Sequence, residues 1–591
     1  MKLFIRSCFL IASLFLSISS FAQSNLERKV YPDLLEKLQN GGDHEMIIYL
    51  KKQADLSASR YLSTKAEKGQ FVWNELNKVA NQTQTNVLNL LEDNQVYFHR
   101  YVIINAVYAV ADLEIARKLA DLTEVSNIYA NPSSPLDGPV MQTQIAARDT
   151  NLLNWGLDMI EAPRVWKQGY TGEGVVIGGQ DTGYDWDHFL LKVKYRGYRG
   201  INDPADHNYN WHDAIHEISP LASDSTNPCG LSAMEPCDDN NHGTHTMGTM
   251  VGSSGDDYYG VAPDARWIGC RNMERGNGSP ATYMECFEWF LAPTDLNDEN
   301  PDPDKAPHVI NNSWYCSLTE GCDPANSGFM EEVVNNLKAA GVVVVVSAGN
   351  FGRNGCSTVS RPPAIFENAF SIGATAFNDS IADFSSRGPV IIDGSNRMKP
   401  NVSAPGVNIP SSIPNDGIAS FSGTSMAGPH VAGAVALVIS ANPAIAGDVD
   451  FIETILENTA EPKTDTMNCG GFSGMNVPNP IYGFGRINVY QAMLAAFDYV
   501  PVQELADKAI DINVFPNPYT STLTFDVRSF EGKANLEMYD LSGRIVYRQI
   551  FFPQHERFLS INAPVNSGKF LTYRISAENG YSVGKVMRAG R

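Results

Sequence analysis

Gly423-Thr424-Ser425-Met426-Ala427-Gly428-Pro429-His430 runs directly into Val431-Ala432-Gly433-Ala434-Val435-Ala436-Leu437. The second half is an unbroken run of small and apolar residues and reads as a buried helix. Gly428, Ala432, Gly433 and Ala436 would let that helix pack closely against its neighbours. The first half puts a serine at or near the helix start, where free backbone N–H groups and the positive dipole end favour a developing oxyanion. Pro429 is expected within the first turn, where a missing N–H is tolerated. Such a helix needs a sheet to lie on. Val175-Val176-Ile177, Trp267-Ile268, Val309-Ile310 and Val342 to Val346 supply one. These runs are apolar on both faces and spaced by helical segments, so residues 150–500 read as an α/β domain around a parallel sheet.

Two further motifs belong to that domain. Gly179-Gln180-Asp181-Thr182-Gly183 follows the first strand, and His242-Gly243-Thr244-His245 opens a later segment. Sites in open α/β sheets form at the carboxyl ends of strands, where Asp181 stands and Gly183 permits a sharp exit. Taken alone, Asp-Thr-Gly also fits a plain turn or an aspartic peptidase. His-Gly-Thr-His alone also fits a metal site or a helix start. With the serine motif, in the order Asp, His, Ser, they specify a nucleophilic triad of Asp181, His242 and Ser425. His245, one turn past His242, reads as a structural neighbour. His430 would sit on another helix face and pack.

Composition limits the alternatives. A chain of 591 residues is too long for one ordinary domain. Its net charge of -22 argues against nucleic acid, which needs a basic footprint, and serves solubility. Residues 1–22 read as a secretory signal peptide: Lys2 and Arg6, then the apolar Phe9 to Leu16, then Ser20-Phe21-Ala22. That apolar run is well short of the roughly 20 residues of a membrane span, and no later segment reads as one. Beyond Cys8 eight cysteines remain, an even number that suits disulfides in an exported chain. Cys229–Cys237 and Cys316–Cys322 are the local pairs expected. Cys270 and Cys286 read as a disulfide or as buried thiols.

The flanks differ in pattern. Residues 23–131 give strand, helix, strand, strand, helix, strand, a ferredoxin-like α+β order: Met46 to Leu50, Ser63 to Glu92, Val96 to Ile104, Ala106 to Ala111, Leu113 to Leu122 and Val125 to Tyr129. Residues 132–149 have no period and read as an exposed linker where maturation would occur. After a linker at 501–511, residues 512–591 carry short alternating strands separated by turns such as Leu541-Ser542-Gly543-Arg544, a small all-β sandwich.

Residues Trp155 to Leu494 resemble the subtilisin (subtilase) peptidase family, most of all its bacillopeptidase F-like branch. Gly260-Val261-Ala262-Pro263, Asn311-Asn312-Ser313-Trp314, Ser347-Ala348-Gly349-Asn350, Phe384-Ser385-Ser386-Arg387-Gly388-Pro389 and Lys399 to Gly406 carry the resemblance beside the triad motifs. It implies a three-layer parallel-sheet serine endopeptidase acting on proteins or peptides, with Asn350 as oxyanion-hole amide. It implies that Ser313, Trp314 and Tyr315 line the pocket for the residue before the cleaved bond. Tyr315 stands where the family has glycine, so that pocket's preference does not carry over. No metal is required for the chemistry, and structural calcium remains open. The usual calcium carboxylate nine residues after the catalytic aspartate is Leu190 here. The acidic run Asp295 to Asp304 is open to calcium or to solvent alone. Residues 23–131 resemble the family's inhibitory propeptide, with Tyr49 to Ser57 as the matching stretch, which makes the chain's own propeptide a partner. Val514-Phe515-Pro516-Asn517-Pro518, Met538 to Val546 and Gly584 to Met587 resemble a type IX secretion sorting domain, which implies that machinery as a second partner. Two other readings compete. A sedolisin-type peptidase would have Glu in the His242 role and Asp in the Asn350 role, and has neither. A catalytically inactive cell-surface binding protein would not need the intact triad.

Overall fold

The computed structural model describes residues 24–136, 138–145, 154–222, 226–317, 322, 328–499, 510–539, 545–554, 557–562, 570–577 and 579–588. The signal peptide, most of the linker at 501–511 and the turn at 541–544 lie outside them. The chain divides into two compact units. One holds residues up to 59 and 65–496; the other holds 60–64 and 497–591.

The first unit is built on seven strands in the order Val402–Pro405, Phe370–Thr375, Val343–Ser347, Val309–Asn312, Val176–Asp181, Arg266–Arg271 and Trp211–Asp213. Every pairing is parallel. The central strands are buried along their length, as the apolar runs require. The helix Thr424–Ala441 lies on this sheet, buried on nearly every face. It is long and apolar enough to span a membrane by composition, contrary to the sequence reading, yet its surroundings are protein. At Gly433 an added Cβ would meet the Val261 side chain at 2.5 Å, so close packing there excludes any side chain.

Residues 24–130 form the predicted α+β body. Its sheet order is Phe98–Tyr101, Ala106–Ala111, His44–Leu50, Val125–Ala130, all antiparallel. The strand expected to run to Ile104 stops at Tyr101. The Val102 and Ile103 amides instead donate to the Glu288 carboxylate of the helix Pro280–Leu291, at 2.5 and 2.7 Å. Asn336 Nδ2 donates to the Ile103 carbonyl and the Tyr101 hydroxyl to Ala281. These contacts dock the sheet on two helices of the α/β body.

The described part of the stretch read as an exposed linker is partly ordered by pairing. Ser134–Pro135 pairs with Asn277–Gly278, and Met141–Ile145 pairs with Gly417–Ser422. Their hydrogen bonds come from strand edges of the α/β body, a tertiary effect that local composition does not report.

The second unit contains two antiparallel sheets. One holds Val514–Phe515, Thr522–Asp526 and Phe558–Asn562; the other holds Ile545–Phe551, Ala534–Tyr539, Phe570–Ala577 and Gly580–Met587. Leu523, Phe525, Leu536, Met538, Leu559 and Ile575 form the core of this β body.

Four disulfides are present: Cys229–Cys237, Cys270–Cys286, Cys316–Cys322 and Cys356–Cys469.

Candidate active site

Asp181 ends its strand at the carboxyl edge of the sheet. Gly183, two residues on, has φ +108°, and a Cβ there would lie 1.8 Å from the Cys237 carbonyl oxygen, so the exit needs glycine. His242 opens the helix His242–Val251, which packs against Thr424–Ala441. Asp181 Oδ1 and His242 Nδ1 are 2.7 Å apart, and both side chains are buried. Burial alone would lower the imidazole pKa, but the Asp181 charge and hydrogen bond, with help from Asp238, raise it above the ordinary value. His242 Nε2 is buried without a hydrogen-bond partner among the described residues.

Ser425 is the second residue of its helix. Its hydroxyl donates to the Ser313 carbonyl at 3.1 Å and is not hydrogen-bonded to His242 Nε2. Catalytic hydrogen bonds of this kind commonly tighten when substrate arrives.

Pro429 is not in the first turn but in the second, inside the helix. It cannot supply the N–H that would normally reach the Ser425 carbonyl. The Ser313 hydroxyl donates to that carbonyl instead, at 3.0 Å, while accepting from Asn311 Nδ2 at 2.9 Å. Ser313 thus holds the nucleophile through both its carbonyl and its hydroxyl. Trp314 does not join it: its ring is buried and stacked on Tyr283 at 4.0 Å. Tyr315 is half-buried and meets Phe351 edge-on at 5.7 Å.

Asn350 follows the strand Val343–Ser347. Its Oδ1 accepts from the Thr424 amide at 2.9 Å and the Thr424 hydroxyl at 3.0 Å. With its oxygen held by the residue before the nucleophile, its Nδ2 is left as the donor end.

The motifs missed Asp238. Its carboxylate accepts from the Thr182 hydroxyl, the Asn240 and Asn241 amides, and the Thr244 amide and hydroxyl. It caps the helix that begins at His242 and ties the Asp181 loop to it. Its only signal in sequence is its place four residues before His242. The other two histidines are structural. His245 stacks on Phe421 at 4.1 Å, with Nε2 at the Ile409 and Ala419 carbonyls, and burial lowers it to about 3. His430 Nδ1 bonds the Met426 carbonyl.

Two backbone hydrogen bonds hold the chain near this region. The Leu136 amide donates to the Gly276 carbonyl at 2.6 Å, and the Val140 amide to the Ser422 carbonyl at 2.8 Å, three residues before the nucleophile. Leu190 is buried among apolar side chains. In the acidic loop, Asp295 accepts from Asn297, Glu299 and Asn300 of the same loop. Among the described residues no three His, Cys, Asp or Glu side chains group as metal ligands.

Residues 172–485 match the model of the subtilase family, and residues 513–587 that of the secretion system C-terminal sorting domain. Bacillopeptidase F of Bacillus subtilis (strain 168) is 35% identical across 81% of this chain and 32% of its own. Subtilisin Savinase of Lederbergia lenta is 30% identical across 57% of this chain and 97% of its own. Alkaline elastase YaB of Bacillus sp. (strain YaB) is 30% identical across 54% of this chain and 67% of its own. This chain belongs to the subtilase family. It spans about a third of the length of bacillopeptidase F. The sorting domain marks it for export, to a secreted or cell-surface location.

Proposed function

We propose that the chain is a serine endopeptidase, made as a precursor that cuts itself between Leu136 and Val140 and is exported through a type IX secretion system. The observation that carries this reading is the buried Asp181–His242 pair beside a serine at a helix start, with the chain's own backbone bound on both sides of that serine.

In this reading Ser425 Oγ attacks the scissile carbonyl and His242 Nε2 takes its proton. Asp181 fixes the tautomer and stabilises the imidazolium. Asn350 Nδ2 and the Ser425 amide donate to the tetrahedral oxyanion; one such donor is typically worth about 10²–10³ in turnover. His242 then protonates the leaving amine, and water releases the acyl group from Ser425. The chemistry requires no metal, and any bound calcium would serve structure alone. Residues 24–131 act as inhibitor and folding template, consistent with their docking through Glu288 and Asn336. The substrates are proteins or peptides.

A fluorophosphonate probe should label the mature enzyme at Ser425, and a Ser425→Ala precursor made alone should accumulate uncut. Normal maturation of that variant, or unlabelled mature wild type, would sink the proposal.

A further inference from the structure

Arg361 is half-buried and has neither an ion pair nor a hydrogen bond to its guanidinium among the described residues. Its guanidinium carbon lies 4.3 Å from the ring centroid of Tyr315 and 4.1 Å from that of Phe351. Both rings belong to segments that hold the nucleophile's surroundings. Tyr315 is two residues past Ser313, whose carbonyl accepts the Ser425 hydroxyl. Phe351 directly follows Asn350. The Cys316 amide donates to the Pro362 carbonyl at 2.8 Å, which ties the Arg361 segment to the Tyr315 segment. The rings steady the cation through their faces and leave its N–H edge free for a planar acceptor. A carboxylate is the side-chain group that matches that edge in charge and in bidentate shape.

The chain's own sequence gives a second, independent sign. Leu136 is held at Gly276 and Val140 at Ser422, and the residues between are Asp137-Gly138-Pro139. The single acidic residue in the span comes directly after the last residue bound on the Gly276 side. Asp137 lies outside the described residues, so the sign rests on its place in sequence.

We propose that Arg361 is a specificity-determining residue that makes this enzyme cut after Asp or Glu, and that Asp137–Gly138 is the bond it cuts in its own chain. This rests on the peptidase reading above. It explains why a tyrosine occupies the edge of this pocket: Tyr315 supports a cation and does not merely narrow the space.

The test uses mature enzyme and peptides that differ only in the residue before a Leu-X-Gly cut, with X as Asp, Asn, Glu, Gln, Phe or Lys. The Glu-to-Gln and Asp-to-Asn ratios of kcat/KM should be about tenfold or more in wild type, because the amide offers the half-buried cation neither a charge nor a second acceptor. Arg361→Gln should bring both ratios close to one. Arg361→Lys should keep part of them. Asp137→Asn should slow precursor processing by about the same tenfold factor. If Arg361→Gln does not fold, the wild-type ratios and the Asp137→Asn precursor still decide. Cleavage with Phe or Gln as good as Glu, or an acid preference that survives Arg361→Gln, would overturn the proposal alone. No cleavage of any peptide together with no fluorophosphonate labelling would overturn the peptidase reading and this one with it.

Discussion

Replacing Ser313 by alanine should destabilise the peptidase body by an amount that depends on Pro429. In the wild type the Ser425 carbonyl has the Ser313 hydroxyl as its donor, at 3.0 Å, because Pro429 has no N–H to give. Ser313→Ala strands a buried acceptor, the Ser425 carbonyl, and a buried donor, Asn311 Nδ2, each at a cost of about 1–3 kcal/mol. Pro429→Ala restores an amide one helical turn along, so in that background only the Asn311 donor is stranded. The coupling in the double-mutant cycle is the cost of the stranded carbonyl, about 1–3 kcal/mol, above the few tenths expected of unconnected sites. The four proteins are best compared in a Ser425→Ala background, which stops autolysis and leaves the carbonyl in place. Urea unfolding followed by tryptophan fluorescence reads the midpoints, with the slope checked for constancy. A coupling within a few tenths of zero would refute the idea that Ser313 substitutes for the amide that Pro429 lacks. A cost for Ser313→Ala that rises in the Pro429→Ala background would refute it as firmly.

Three more outcomes are expected. Asp181→Asn should lower kcat/KM by roughly 10⁴; an effect under about tenfold would remove Asp181 from the triad. Because the imidazole of His242 is raised chiefly by that aspartate, and a general base must be neutral, wild-type activity should fall with acid through a pKa above the ordinary histidine value; a limb at or below it in kcat/KM profiles would contradict the assignment. Burial, and then the Glu217 carboxyl beside it, push the Glu45 carboxyl up to about 7 where residues 24–131 meet the peptidase body. A carboxyl raised on docking takes up a proton. Its contribution is therefore full in acid, below the free value, and lost as pH rises through about 7. Residues 24–131 should therefore dissociate more readily above neutrality than in mild acid after the cut, and Glu45→Gln should flatten that dependence in a size-exclusion assay across pH.

Residue patterns revealed the peptidase body because its fold follows from local rules. Valine runs buried on both faces can only be inner strands, and a small-residue helix beginning at Ser425 can only lie on them. The proposed triad was legible for a related reason: Asp181, His242 and Ser425 each sit at the end of a sheet strand or the start of a helix, and the motifs spell those junctions. What stayed hidden depends on distant partners. Asp238 looks like any loop acid until the helix it caps and the Thr182 hydroxyl it accepts from are in place. Val102 and Ile103 continue a strand pattern, yet Glu288, nearly two hundred residues away, takes their amides. Ser134–Pro135 and Met141–Ile145 look like linker because their pairing comes from strand edges at Asn277 and Gly417, not from themselves. Arg361 carries no motif at all. Only the rings of Tyr315 and Phe351, brought together from separate loops, show that its charge is held in place, and no carboxylate among the described residues pairs with it. The same limit applies to Trp314 and Tyr315: adjacent in sequence, one is buried against Tyr283 and the other half-buried against Phe351 and Arg361, a division set by partners distant in the chain.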